Sequence, residues 1–203
     1  PVSINITWNV SDSNAPNTVL YRVNTGGALT ASNDTSPVAW LEDQATTTAN
    51  GNAVTGTPSQ YVNFGAEDLT YGAALPGTFV NNTGYPDALF ATERYNQLAV
   101  PNNMQWSFPT GNGTYQVNLL FNENWANENA NGNNHRIFDV EIEGQLLLDD
   151  YRPSLDGTQI NIAKVESFEV TVSGDGILNI DFIKVNQNPA IKGIEVRSVE
   201  PSV

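Results

Sequence analysis

The segment from residue 113 to residue 144 constrains the fold of this chain most strongly. Apolar and polar residues alternate in TYQVNLLF (114–121) and again in RIFDVEIEG (136–144), which is the pattern of half-buried β-strands. Between these two strands lies a polar loop, residues 122–135, whose one large apolar side chain is Trp125. A long connection between two well-patterned strands is typical of a functional loop, and Trp125 favours a binding role for it.

The same alternation recurs along the chain, and no segment shows a helical repeat. Further strands are predicted at residues 3–10, 18–23, 104–108, 146–151, 167–172, 177–185 and 190–196. Glycine-rich turns separate them, and the turn at 174–176 predicts a late hairpin. Roughly nine or ten short strands predict an all-β fold, an antiparallel β-sandwich or jelly roll with its ligand loops at one end.

The length of 203 residues suits one domain. Residues 1–18 are predicted to form an N-terminal strand and lead-in, and residues 28–60, which have little apolar pattern, are predicted to form a long loop. Gly26 and Gly27 predict a tight exit from the second strand, because glycine relaxes the backbone limits there. No internal repeat or linker divides the chain.

The charge balance excludes several classes of partner. Lys and Arg number 8 against 22 Asp and Glu, for a formal charge of -14. Nucleic acid and anionic membrane surfaces both require a basic footprint, so neither is expected as a partner. The chain has no cysteine, which excludes disulfides and thiolate chemistry, and no apolar run long enough for membrane insertion. Strong acidity fits an extracellular module or one that carries calcium.

Five motifs follow one another in a single order from residue 19 to residue 196. They are YRVNTGG (21–27), LFATERYN (89–96), GTYQVNLLFNE (113–123), RIFDVEIEG (136–144) and NPAIKGIEV (188–196). Together they resemble the malectin family. The resemblance implies a galactose-binding-like β-sandwich that holds glucose-containing oligosaccharides in loops at one end and has no catalytic activity.

The resemblance also implies which residues contact the sugar. The family's loop aromatics fall on Tyr71, Tyr95 and Trp125. Two departures stand out, because Ala126 replaces a neighbouring aromatic and Gln187 replaces the acid that precedes Asn-Pro. An amide keeps hydrogen bonding at that position but loses a charge-assisted bond.

Aromatic faces with polar groups at the rim suit a sugar, whose C–H faces and hydroxyls need both. Predicted rim residues are Glu123, Asn124, Gln187, and Asp43 beside Trp40. A structural alternative stays open for three residues. Trp125 could fold back onto its own domain, and Tyr95 could pack beside an ion pair of Glu93 and Arg94. For His135, a solvent-exposed position is the expected alternative to a catalytic role. The strand aromatics are assigned to the core; they are Trp8, Trp106, Phe108, Phe138 and Phe182.

We expect no enzyme. Glu123, Glu128 and Asp43 could supply the two carboxylates of a glycosidase, but an acidic chain always offers such candidates, and no catalytic motif is present. No cofactor is required. A structural calcium ion is a further candidate, with oxygen ligands from Asp149, Asp150 and Asp156.

The expected function is that of a non-catalytic carbohydrate-binding module that targets a larger, secreted or cell-surface, bacterial multidomain protein to an oligosaccharide or polysaccharide. The alternative is a structural or protein-interaction module of a bacterial adhesin whose sugar site has decayed. Ala126 and Gln187 favour that alternative.

Overall fold

The computed structural model of the chain describes residues 18–44, 58–63, 68–96, 104–124, 135–155 and 159–199. Thirteen strands and one short helix form in these ranges. The strands are β1 Val19–Thr25, β2 Leu41–Asp43, β3 Val62–Asn63, β4 Asp68–Gly72, β5 Thr92–Asn96, β6 Met104–Pro109, β7 Gly113–Phe121, β8 Ile137–Ile142, β9 Gln145–Tyr151, β10 Lys164–Val172, β11 Ile177–Asn186, β12 Ala190–Ile191 and β13 Gly193–Ser198. The helix, α1, is the single turn Asp87–Phe90, which the sequence did not predict.

Two five-stranded sheets form the body of the domain. The first has the order β10-β7-β13-β1-β2, and the second has the order β3-β6-β11-β8-β9. All pairs are antiparallel except β1 with β2. The predicted antiparallel β-sandwich is confirmed.

The core lies between the two sheets, because the strands alternate buried and less buried side chains. The four strand aromatics in the described residues that were assigned to the core are fully buried: Trp106, Phe108, Phe138 and Phe182. The rings of Trp106 and Phe182 meet edge to face, with centroids 5.4 Å apart. Each such side chain contributes about 2–3 kcal/mol by leaving water. Trp8 and the predicted strand at residues 3–10 lie outside the described residues.

The late hairpin predicted from the sequence is wrong. Strand β10 pairs with β7 in the first sheet, whereas β11 pairs with β6 and β8 in the second. The strands on either side of the 122–135 loop, β7 and β8, likewise belong to different sheets. A glycine turn permits either a hairpin or a crossing between facing sheets, and alternation alone does not distinguish them.

The strand predicted at residues 146–151 is β9, which forms a hairpin with β8. Its turn residues Glu143 and Gly144 have φ values of 54° and 68°. Positive φ at both central residues is the conformation that a two-residue hairpin prefers.

A third sheet, with the order β12-β5-β4, lies at one end of the sandwich. The Thr25 amide, where β1 ends, donates to the Lys192 carbonyl, and the Lys192 amide donates to the Leu120 carbonyl near the end of β7. We call this region the loop end, because residues 122–124, 135–136 and 187–189 meet there. Within the described residues, no helix is long and apolar enough to cross a membrane.

Candidate functional site

Two tyrosines of the three-stranded sheet project from one face. Tyr71 of β4 lies opposite Glu93 of β5, and Tyr95 lies between Leu69 of β4 and Ala190 of β12. Directly opposed residues of an antiparallel pair project to the same side, so Tyr71, Glu93 and Tyr95 share a face. Tyr71 is 47% exposed and Tyr95 is half-buried. This face offers the aromatic surface that a sugar ring needs.

The electrostatic surroundings keep the Tyr95 hydroxyl protonated. Burial raises its pKa, the neighbouring Glu93 and Tyr71 raise it further, and Arg136 acts in the opposite direction. A protonated phenol both donates and accepts, and it can therefore pair with either role of a sugar hydroxyl.

A buried ion-pair cluster lies on the same face, centred on Glu93 beside the two tyrosines. Glu93, 3% exposed, accepts from the Arg136 guanidinium at 3.0 Å and from the Lys192 ammonium at 2.7 Å. Burial alone would raise the pKa of Glu93, but the two cations outweigh it and lower the pKa. The charges balance, because Glu123 is the second acid, with its Oε2 2.9 Å from Arg136 Nε. Such a cluster fixes geometry, since each member needs its partners to offset desolvation.

The cluster fixes the base of the long loop. The Lys192 ammonium donates to Asn124 Oδ1 at 2.9 Å, and the Glu123 carbonyl accepts from the Asn161 amide at 2.8 Å. Glu123 is 2% exposed and pairs with Arg136, so its carboxylate belongs to the buried cluster and does not form the predicted rim. Trp125 follows Asn124 directly but, like Ala126 and Glu128, lies outside the described residues. Its predicted contact with sugar stays a prediction.

Gln187 lies at the same end of the sandwich. It is half-buried in the turn between β11 and β12, with a φ of 57°. The carbonyl of the next residue, Asn188, accepts from Arg136 at 3.1 Å, which joins this turn to the charge cluster. His135, predicted to be in solvent, is half-buried beside the cluster.

Trp40 and Asp43 do not lie at the rim. Trp40 is 1% exposed and packs with Leu89 and Phe90 in a second apolar cluster. Asp43 is fully buried and accepts two bonds from Arg94, at 2.8 and 2.7 Å. Both take structural roles, which corrects the rim positions predicted from sequence.

The predicted ion pair between Glu93 and Arg94 is also corrected. Consecutive residues of a strand point to opposite faces, so Glu93 meets Arg136 and Lys192 while Arg94 meets Asp43. Sequence reasoning gave no role to Arg136 or Lys192. Lys192 had a signal, because a lysine within the apolar stretch AIKGI of a chain with 8 basic residues indicates a buried, paired cation.

Three carboxylates lie close together on the β8–β9 hairpin. Oxygen atoms of Asp139, Asp149 and Asp150 are within 4.8 Å of one another, and Asp139 accepts from the Asp150 amide at 2.8 Å. Oxygen ligands of this kind suit calcium. Asp156 lies outside the described residues, and calcium binding stays a prediction.

A sequence profile of the Malectin domain matches residues 19–199. The chain belongs to the malectin family. As a family, malectin domains are non-catalytic carbohydrate-binding modules. The match covers the five ordered motifs, so the resemblance seen in the sequence is confirmed. A search of curated protein sequences gives no match.

Solved structures share the fold of this malectin domain at low identity. A plant receptor-like kinase, FER, is 19% identical with a TM-score of 0.70, over 91% of this chain and 50% of that one. FER in complex with the plant peptide RALF23 and LLG2 is 20% identical with a TM-score of 0.67, over 89% and 48%. A β-glucuronidase from Bacteroides uniformis is 20% identical with a TM-score of 0.62, over 89% and 18%.

This malectin domain therefore spans half or less of the solved chains that it matches. At these identities the likeness shows the fold alone. The loop end is then the part of the domain where the tyrosine face, the charge cluster and the long loop come together.

Proposed function

We propose that this malectin domain binds a glucose-containing or related oligosaccharide at its loop end and thereby targets a larger protein to glycans. The observation that carries the proposal is the face shared by Tyr71, Glu93 and Tyr95, on which the Glu93 cluster fixes the residues that precede Trp125. Aromatic stacking faces beside ordered polar groups are what a saccharide site requires.

The position of Trp125 in the chain supports its inclusion. It directly follows Asn124, whose side chain accepts from Lys192, the same cation that donates to Glu93. Three aromatic rings and few rim groups give a modest Kd, between about 1 µM and about 1 mM, because sugar hydroxyls must be desolvated on binding. Several copies in a larger protein would raise the affinity by avidity.

The setting of the domain is part of the same proposal. An acidic, cysteine-free domain fits a secreted or cell-surface multidomain protein of a bacterium. Calcium, if bound, would lie at Asp139, Asp149 and Asp150 on the hairpin, and a repeat of the sugar titration in chelator separates its effect from that of the sugar.

Tryptophan fluorescence tests the sugar site. Of the four tryptophans, Trp40 and Trp106 are buried, so a change on adding glucose-, galactose- or mannose-based oligosaccharides should come from Trp125 or Trp8, which the variant Trp8→Phe separates. We expect a saturable change that Trp125→Ala and Tyr95→Ala each abolish and that the control Trp8→Phe keeps. An unchanged titration in Trp125→Ala would show that the loop is wrongly assigned.

The second candidate is a protein-interaction module. The solved complex of FER with the peptide RALF23 and LLG2 shows that a protein of this fold assembles with a peptide, and Gln187 and Ala126 depart from the sugar-binding pattern. Absence of any sugar response, together with peptide binding that Tyr71→Ala weakens, would favour this candidate.

A further inference from the structure

A polar groove crosses the outer face of the first sheet, away from the loop end. Its volume is about 550 Å³, in the range of small-molecule sites. The floor is formed by β7, β10 and β13, and one wall is formed by residues 82–85. Gln116, in the floor, is five residues from Phe121 at the end of β7, which is about 17 Å along the strand.

The groove is lined by groups that both donate and accept hydrogen bonds. Amides come from Asn82, Gln116 and Asn118, and hydroxyls come from Thr83 and Ser167. No carboxylate is among the lining residues, although the chain has 22 acids. Sugar hydroxyls also donate and accept, so amides and hydroxyls match them without charge.

A buried carboxylate below the groove holds its lining in place. Glu195 is fully buried and accepts from Tyr85 at 2.8 Å, from Asn118 at 2.9 Å and from Arg197 at 2.7 Å. Its other oxygen accepts from Arg22 at 2.7 Å. Three lining residues are thus fixed before any ligand arrives, which lowers the entropic cost of binding.

The wall of the groove is equally rigid. The ring of Tyr85 packs edge to face on the buried Trp40, with centroids 5.6 Å apart. Gln116 donates to Asn118 Oδ1 at 3.2 Å, which links the two floor amides. The cation of Arg197 is compensated by Glu195. Lys164 also lines the groove, but alternation along β10 directs its side chain to the opposite face from Ser167, the face of Glu166, so the floor presents little net charge.

We propose that this groove is a second carbohydrate site, which binds a neutral saccharide on the face of the sheet independently of the loop end. The fixed amides, the hydroxyls and the rigid Tyr85 wall select for a polyhydroxylated ligand. Glu195 and Asp34 together balance Arg22 and Arg197, so this cluster has no surplus positive charge to favour an acidic sugar. A domain with two such sites could hold one glycan chain at two points or cross-link two chains.

The test uses backbone amide chemical shifts of the intact domain, titrated with maltotriose, mannotriose or galactotriose and, in parallel, with trigalacturonic acid. We expect saturable shifts at residues 116, 118, 167 and 197 with a neutral trisaccharide. Ser167→Trp fills the groove from an exposed strand position and should weaken this response by about tenfold or more. Thr171→Trp is the matched control, since it lies on the same strand and face outside the lining residues.

This experiment tests the groove and the loop-end sugar site independently of each other. Shifts at Tyr71 and Tyr95 without shifts in the groove would overturn the second site and leave the proposed function intact. Groove shifts that survive Tyr95→Ala would support the second site, even if the loop end shows none. A groove response to trigalacturonic acid alone, or no response to any sugar, would overturn the proposal.

Discussion

Gly26 lies against the backbone of Glu93, so closely that a β-carbon at residue 26 would be 2.1 Å from the Glu93 carbonyl oxygen. Gly26 directly follows β1 and has a φ of 78°, and its amide donates to the Asp43 carbonyl at 2.9 Å. The turn after β1 therefore sets how near β5 can approach the sandwich. Because β5 carries Glu93 and Tyr95, this glycine positions the candidate sugar site.

Gly26→Ala should destabilise the domain strongly. The new methyl group meets backbone atoms that cannot rotate away, and the positive φ adds strain, so we expect a loss of about 3–5 kcal/mol in the free energy of unfolding. Gly84→Ala is the control, because its φ of 83° is similar but nothing lies within 4 Å of the added carbon. That variant should lose about 1 kcal/mol. Equal losses in urea unfolding would contradict the close approach.

Lys192→Met should destabilise the domain through Glu93. Methionine keeps the length of the side chain but removes the cation that lies 2.7 Å from the buried carboxylate. We expect a loss of about 3 kcal/mol, because one charge is left less compensated. Lys184→Met, at a half-buried lysine 3.4 Å from an amide oxygen, should lose under about 1 kcal/mol. In Glu93→Gln the cost of Lys192→Met should shrink, and a cost that stays the same would show that the two residues are not coupled.

The strands and core could be predicted from the sequence because alternation and aromatic content are local signals. Met104, Trp106 and Phe108 alternate in a way that only a half-buried strand explains. Pairing between strands is not local, which is why β10 and β11 were wrongly joined in a hairpin. Likewise, the acidity of Asp43 or Glu123 gave no sign of burial, since burial depends on a partner distant in sequence. Asp43 meets Arg94, 51 residues away.

Acid should unfold the domain in a range set by its buried carboxylates. The folded-state pKa values of Glu93 and Glu195 are both lowered, although burial alone would raise them. At Glu93 the charges of Arg136 and Lys192 outweigh burial. At Glu195 the hydrogen bonds from Arg197 and Asn118 outweigh it. A lowered folded-state pKa gives stability that is present above the unfolded pKa, about 4.3, and is lost as the pH falls through the folded value.

This pH dependence can be measured by urea unfolding between about pH 7 and about pH 2.5. We expect little change from these two groups down to about pH 5 and a steep loss below about pH 4. Glu93→Gln should be less stable at neutral pH and should show a shallower acid slope. Parallel curves for the two proteins would show that Glu93 does not contribute to the acid transition.

Tyr71→Ala should weaken sugar binding without unfolding the domain. The side chain is 47% exposed, so its loss costs the fold about 1 kcal/mol or less, whereas loss of a stacking face should weaken binding by about tenfold. Leu146→Ala is the control, since that side chain is 48% exposed on the edge strand β9. The affinities of both variants for the sugar that binds most tightly are measured by calorimetric titration. Equal affinities for the two variants would show that Tyr71 does not contact the sugar.

Asp43→Asn separates the rim role predicted from sequence from the buried role found in the structure. Asp43 is fully buried, and it accepts from Arg94 through both carboxylate oxygens and from the Ser59 amide at 2.8 Å. An amide has one acceptor oxygen, so one bond to Arg94 is lost and its cation is left uncompensated. We expect a loss of about 3–5 kcal/mol in the free energy of unfolding. Sugar affinity, measured at low temperature where the variant is folded, should be unchanged. The opposite result, a stable variant with weakened sugar binding, would show that Asp43 lies at the rim as the sequence predicted and that Arg94 is part of the sugar site.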